Sequence, residues 1–399
     1  MRIFHTSDWH IGRTFHGYST LDAARTVLGA IPGLVSELGI DVVIVAGDVY
    51  DVTNPSAEST QVLQQAIVAI REAGALVVVL SGNHDSATKL GFAGPFSAAY
   101  GLHLLTQASE VGSPVELADE HGPVDIYGIP YLQPELMRRQ PWVGEQARTQ
   151  HDVVSAAMDV VRSAIERRGS DRRGSERRRS VVVAHTFVAG AESESSDSER
   201  AITREPLKAG GVDAVPVSVF EGVDYAALGH IHSCIQLSDA VRYSGALMHY
   251  SFKEAGKPRG GWLVDIGADG LDSVEWVDLP VPRPLKEITG QLNDLLLSEE
   301  WEPYKDHYVK ATYTDDTKQM DPLRKLRTRF PWCAEVIHRP SNDHEASTAS
   351  YRERVQGKSD TEVFESFLED VRNGEGSSDE ESQIFAEVLS EREAMELAK

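Results

Sequence analysis

The sequence predicts an α/β fold, and three observations carry that prediction. Short β-branched runs alternate with longer amphipathic stretches over the first 280 of 399 residues, the pattern of strands and helices that alternate along a chain. Several runs, such as "DVVIVAGD" and "ALVVVLSGNHD", are almost unbroken apolar stretches of strand length. Hydrophobic residues make up 41% of the chain, enough to bury a sizeable core.

Taken in order, strands are expected at 2–6, 41–46, 75–80, 124–129, 180–184, 224–228 and 261–266, and helices at 20–38, 56–73 and 149–168. Pro55 and Ser56 supply a start signal for the second helix and Gly74 a stop. The stretch 84–100, with Phe92, Phe96 and Tyr100, reads as a buried core helix, with a dimer face as the alternative. Residues 166–180 and 191–200 lack apolar periodicity and read as surface inserts, the first basic and the second acidic. Three prolines in "LPVPRPLKEI" place a linker near 280. Beyond it, 285–340 reads as a small α+β unit: a helix over 286–298, a strand over 307–313, a helix over 321–329 and a strand over 333–338. In the tail, Val363, Phe364, Phe367, Leu368 and Val371 share one helical face. After "NGEGSS", Ser378 and Glu381 suit a capping box for a second helix carrying Ile384, Phe385, Val388 and Leu389. Two such short helices must dock on something to be stable.

Composition excludes several classes. No run approaches the roughly 18 apolar residues of a membrane span, and "MRIFHTSDWH" lacks the regions of a secretory signal, so a cytoplasmic location is expected. Two cysteines, Cys234 and Cys333, argue against a disulfide framework or a thiolate zinc site. A net charge of −23 argues against coating nucleic acid by bulk attraction. The charge is uneven: thirteen acids stand against three bases over 360–399, and eight arginines against three acids over 162–179.

Five strand candidates end in the same kind of residue. "RIFHTSDWH" ends in Asp8 and His10, "DVVIVAGD" in Asp48, "ALVVVLSGNHD" in Asn83, His84 and Asp85, "SVVVAH" in His185, and "DYAALGHIH" in His230 and His232. In an α/β sheet the carboxyl ends of strands line the functional crevice. Carboxylates and imidazoles without thiolate suit manganese, iron or zinc. Asp8-x-His10 and His230-x-His232 each put two side chains on one face of an extended segment.

These five motifs, in this order, resemble those of the calcineurin-like metallophosphoesterases. The stretches "HTSDWHIGRTFHGYS", "GDVYD", "SGNHDS", "ALGHIH" and "YSGALMHYSFKEAG" resemble the SbcD-type nuclease subunits within them. The resemblance implies a two-sheet β-sandwich flanked by helices over 1–279, a small α+β DNA-capping domain over 280–340, and a C-terminal helix-loop-helix over 341–399 that docks on an SbcC-type ATPase. It implies two divalent metal ions, Mn2+ in most relatives, bridged by Asp48. Asp8, His10 and His232 would complete one site, and Asn83, His185 and His230 the other. His84 would be the catalytic imidazole, held by a carboxylate from Asp51 or Asp85. His16 would lie near DNA, and Tyr243 and Ser244 would shape the substrate pocket. Duplex ends and hairpins would be substrates, and a homodimer within a heterotetramer the working form, associated with the nucleoid. The competing readings are a small-molecule or cyclic-nucleotide phosphodiesterase, a protein phosphatase, disfavoured because no arginine follows Asp51 in "GDVYDVTNPS", and a non-catalytic scaffold.

Overall fold

The computed structural model describes residues 1–170, 177–190, 214–340, 357–372 and 376–397. The chain divides into two compact units, Met1–Pro282 and Arg283–Lys399. In the first unit two six-stranded sheets lie face to face. One runs, in spatial order, Gly270–Asp278, Gly260–Gly267, Arg2–Thr6, Val42–Ala46, Leu76–Leu80 and Leu102–Leu105. The other runs Ile235–Gln236, Val241–Tyr243, Tyr225–Gly229, Arg179–His185, Gly122–Ile129 and Val115–Asp119. The central strands of each are parallel neighbours; antiparallel strands close three of the four edges, and Leu102–Leu105 closes the fourth in parallel.

Layering explains the unbroken apolar runs. Ile3, Val42, Ile44 and Val78 point inward against Ile126, Val181, Val183 and Ala227 of the other sheet. Alternate residues, Phe4, Val43, Val45 and Val77, point outward under helices Leu21–Leu38 and Ala57–Glu72. Val182, Ala184, Ala226 and Leu228 do the same under helix Gln150–Ser170. Strands buried on both faces cannot alternate apolar with polar residues. The result is the helix-flanked two-sheet α/β architecture expected from the motifs. The second helix is capped where foreseen, with Ser56 Oγ accepting from Ser59 N at 3.1 Å.

Arg179 opens a central strand with no exposure. It grips Asp119 bidentately, at 2.6 and 3.0 Å, and donates to the carbonyls of Gly122 and Gly267. Removing one partner of such a pair leaves an uncompensated buried charge. Arg179→Leu is expected to cost about 3–5 kcal/mol, read as a lower urea midpoint; a variant as stable as the parent would contradict it.

Several elements differ from the sequence reading. Strands Leu102–Leu105, Val115–Asp119, Val241–Tyr243 and Gly270–Asp278 were not foreseen; all lie at or next to sheet edges, where runs are short or interrupted by charge. Residues 84–100 do not form a buried helix: Gly91 and Gly94 divide the stretch into single turns, and Phe92, Phe96 and Tyr100 are 83%, 76% and 81% exposed. The helix expected over 286–298 begins as a strand, Leu285–Gly290, with only Leu292–Leu297 helical. The ends of the basic insert are structural, since Arg168 and Arg178 both bind the buried Asp125, at 2.8 and 2.7 Å; the acidic insert at 191–200 lies outside the described residues.

In the second unit Leu285–Gly290, Tyr308–Tyr313 and Cys333–His338 form a parallel sheet over Ile288, Leu295, Val309, Leu326 and Phe330. Helices Asp360–Val371 and Asp379–Leu397 follow. Both open on capping boxes, Ser359 with Glu362 and Ser378 with Glu381. Phe364 stacks on Phe385 with ring centroids 3.9 Å apart, while Phe367, Ile384 and Val388 stay exposed. Among the described residues no helix is long and apolar enough to cross a membrane.

Candidate metal centre

The sandwich brings the five motifs to one place. Asp8 and His10 follow strand Arg2–Thr6, Asp48 follows Val42–Ala46, and Asn83 follows Leu76–Leu80, all in one sheet. His185 ends strand Arg179–His185 and His230 follows Tyr225–Gly229, with His232 beyond, in the other sheet. Neighbouring strands are in parallel register up to these ends: Thr6 opposite Val45, Ala46 opposite Leu80, Gly229 opposite His185. Turning the chain sharply there demands unusual backbone. Asp8, His10, Asp48 and His230 have φ of 51°, 43°, 49° and 106°, conformations that cost about 1–3 kcal/mol each and cluster at functional sites. Gly82 is required by space: a Cβ there would lie 2.1 Å from Asp48 Oδ1.

The donor set fits divalent cations. Ligand atoms of Asp8, His10 and His232 lie within 4.8 Å of one another, as do those of Asp8, Asp48 and His185, and those of His10, Asp48 and His84. His185 Nδ1 faces the Ala46 carbonyl at 2.9 Å and must donate to it. Once its second proton is lost, the ring turns a lone pair on Nε2 toward Asn83 Oδ1 at 2.9 Å and Asp48 Oδ2 at 3.4 Å. Acceptors facing one another need a shared proton or a metal cation between them. The first group repeats the theme, with His10 Nε2 and His232 Nε2 only 3.1 Å apart. His230 Nδ1 joins Asn83 Oδ1 at 3.0 Å.

Electrostatics point the same way. Burial, reinforced by the nearby Asp48 charge, lifts the Asp8 carboxyl to about 8. Burial opposes charge on His185, yet Asp48 and Asp8 hold its imidazole up to about 9. Burial lowers His10 and His232, and burial with the His185 charge pushes His230 to about 3. His10, His230 and His232 are thereby held neutral, as metal ligation needs, while Asp8 and His185 would each give up a proton to a bound cation.

His84 stands beside this group, its ring perpendicular to that of His10 at 4.7 Å. Its backbone N donates to Asp48 Oδ1 at 2.8 Å, and its Nδ1 donates to the Asp51 carbonyl at 2.7 Å. The carboxylate expected to hold it is farther off: Asp51 Oδ1 is 3.9 Å away and sits closer to His10 Nδ1, at 3.4 Å. Asp85 is otherwise engaged, accepting from the backbone N of Val49, Tyr50 and Gly82 and so tying two ligand loops together. Burial and Asp48 raise its carboxyl to about 6 against those three amides.

The two residues expected to shape the substrate pocket are buried behind its wall. Tyr243 is fully buried, its hydroxyl donating to the Thr186 carbonyl at 2.7 Å and accepting from Val188 N at 2.8 Å. Ser244, 1% exposed, donates to Ser7 Oγ, which donates to Asp8 Oδ2. Both brace the wall from behind. His16 is exposed at the tip of the Thr14–Phe15/Tyr18–Ser19 hairpin, its ring against Phe15 and Phe252.

Sequence reading missed the supporting shell. Buried Arg259 donates to the His232 carbonyl at 2.7 Å and pairs with buried Glu254. Tyr250 lies against the His10 and His232 rings, with Arg13 over its face at 4.5 Å. Arg259 showed only as part of a knot of charge in "SFKEAGKPRGG", while Arg13, Tyr250 and Glu254 lie within the stretches "HTSDWHIGRTFHGYS" and "YSGALMHYSFKEAG", where nothing local marks their role.

Comparison with known proteins agrees with this geometry. The profile of the calcineurin-like phosphoesterases matches residues 1–234. A second profile, SbcD_C, described as the Type 5 capsule protein repressor C-terminal domain, matches residues 281–372. Similar solved structures include TT1561 of Thermus thermophilus, at 13% identity and a TM-score of 0.38, covering 69% of this chain and 98% of that one. They also include a dimetal phosphatase from Danio rerio, at 10% identity and a TM-score of 0.37, covering 70% and 99%. A third is GAP50, the anchor in the inner membrane complex of Plasmodium, at 9% identity and a TM-score of 0.39, covering 86% and 98%. Overlaps this loose bear on neither substrate nor ligand. With its profile spanning more than half the residues and an oxygen–nitrogen cluster at the strand ends, the chain belongs to the calcineurin-like phosphoesterases and is a metal-dependent phosphodiester hydrolase.

Proposed function

We propose that this hydrolase is a manganese-dependent DNA nuclease, a 3′–5′ exonuclease on duplex ends and an endonuclease on hairpins and single strands, working with an SbcC-type ATPase in break processing. The observation that carries it is the joining, in one chain, of the oxygen–nitrogen cluster to a second unit matched by the SbcD_C profile. Residues 1–279 are the nuclease domain, 280–340 a DNA-capping domain and 341–399 the ATPase-binding helices. Asp8, His10 and His232 would hold one ion and Asn83, His185 and His230 a second, with Asp48 serving both. When bound, the ions lower the pKa of a water and neutralise charge on the phosphate. His84 keeps its Nδ1 proton on the Asp51 carbonyl, so in its doubly protonated form the second proton, on Nε2, is the one that would pass to the leaving oxygen. Exposed Phe92, Phe96 and Tyr100 support a second copy as a partner, since an apolar patch of this kind is costly in water.

The test is a Mn2+ titration with end-blocked and free-ended duplexes, with and without an SbcC-type partner. Cleavage of cyclic nucleotides but of neither duplex would favour the small-molecule reading instead. The tail is tested separately. Phe367, Ile384 and Val388 give it an exposed apolar face of the kind that docks into a partner's groove. Truncation after residue 355 should leave hydrolysis of bis(p-nitrophenyl) phosphate intact and abolish ATPase association; unchanged association would refute the tail's role.

A further inference from the structure

We propose that His5 and Tyr225 form a positioning bolt that sets the spacing between the two halves of the metal centre. Packed sheets ordinarily lie about 10 Å apart, yet here ligands from opposite sheets must share cations. His5 is on the first strand, three residues before Asp8, and faces inward with Ile3 into an otherwise apolar layer. It has no exposure. Its Nε2 lies 3.1 Å from the Leu228 carbonyl and must donate to it. Its Nδ1, unprotonated in that tautomer, accepts from the Tyr225 hydroxyl at 2.9 Å. Burial pushes the imidazole down to about 3, so the neutral tautomer persists. Both partners belong to strand Tyr225–Gly229, which delivers His230 and His232.

The same junction is pinched at two further points. His230 N donates to Asp8 Oδ1 and Oδ2, at 3.1 Å each. A Cβ on Gly229 would lie 1.9 Å from the Ala46 carbonyl, so only glycine lets the backbones approach this closely. The hydrogen bonds at Asp8 depend on the ligand carboxylate itself. The His5 bolt does not: it ties strand to strand beneath the site, and no hydrocarbon side chain could make either of its two bonds. Most inward neighbours of His5 are aliphatic, so a polar ring there costs desolvation free energy that packing alone would not require.

The inference rests on the metal-centre reading and is tested with the full chain. His5→Phe/Tyr225→Phe removes the imidazole and the hydroxyl together, so neither is left as a buried orphan; His5→Gln restores a donor toward Leu228. Mn2+ binding is measured by titration calorimetry, kcat and KM with bis(p-nitrophenyl) phosphate, and melting without metal. For the double variant we expect Mn2+ affinity about 10–100-fold weaker, the range for groups that orient ligands. We also expect kcat at least about tenfold lower, KM little changed and a metal-free melting point close to the parent, with His5→Gln recovering most of the affinity. Parental Mn2+ affinity and kcat in the double variant would overturn the bolt while leaving the metal centre intact. Should that variant fail to fold, Tyr225→Phe alone decides: weaker Mn2+ binding supports the bolt and parental binding overturns it. A parent chain that binds no Mn2+ would bring down the metal-centre reading itself, and the bolt with it.

Discussion

His84→Gln is expected to lower kcat for bis(p-nitrophenyl) phosphate by about 10²–10⁴-fold, the usual contribution of a positioned proton donor, while Mn2+ binding survives. The reason is a division of labour within one residue. The backbone N of His84 holds Asp48 Oδ1 at 2.8 Å, and a substitution does not remove it. The ring, with Nδ1 fixed on the Asp51 carbonyl, presents Nε2 beside the cluster. Glutamine matches much of the bulk but cannot deliver a proton near neutral pH. Calorimetry should find parental Mn2+ stoichiometry. Loss of both ions, or an undiminished kcat, would contradict the role.

Asp48→Asn is expected to weaken Mn2+ binding by more than about 100-fold, beyond the range for groups that merely orient ligands. Asp48 Oδ2 lies 3.4 Å from His185 Nε2 and 3.7 Å from His10 Nε2, so it faces both halves of the cluster. Asparagine suits the test because it tolerates the left-handed φ of 49° at this position. Without metal the variant should melt lower than the parent near neutral pH, because it loses the pairing with His185 and His10 that, against burial, holds the Asp48 carboxyl well below the usual carboxylate range. A variant that binds Mn2+ with parental affinity would show that Asp48 is structural.

The strands carrying the site were legible because burial on both faces forces unbroken apolar runs, and each of those runs stops at a polar residue that regular packing does not call for. Edge strands such as Gly270–Asp278 were not, since one solvated side lets charge interrupt the pattern. Leu285–Gly290 misled for a different reason. Leu285, Ile288, Leu292 and Leu295 fit a helical stripe, but pairing with Tyr308–Tyr313 prevailed over local periodicity. Phe92, Phe96 and Tyr100 fit one too, until Gly91 and Gly94 broke it and left the rings outside.

The sequence by itself determined the α/β class, the site-bearing strands and the identity of the oxygen and nitrogen groups at their ends. These follow from residue type and period, which are local. Tertiary structure alone decided that Asp85 serves backbone amides, that Tyr243 and Ser244 stand behind the wall, and that Glu254, Arg259 and His5 support the site. Each of those roles is set by hydrogen bonds, most of them to backbone groups far along the chain, and nothing in the type or spacing of a residue records which distant carbonyl or amide the fold will bring to it.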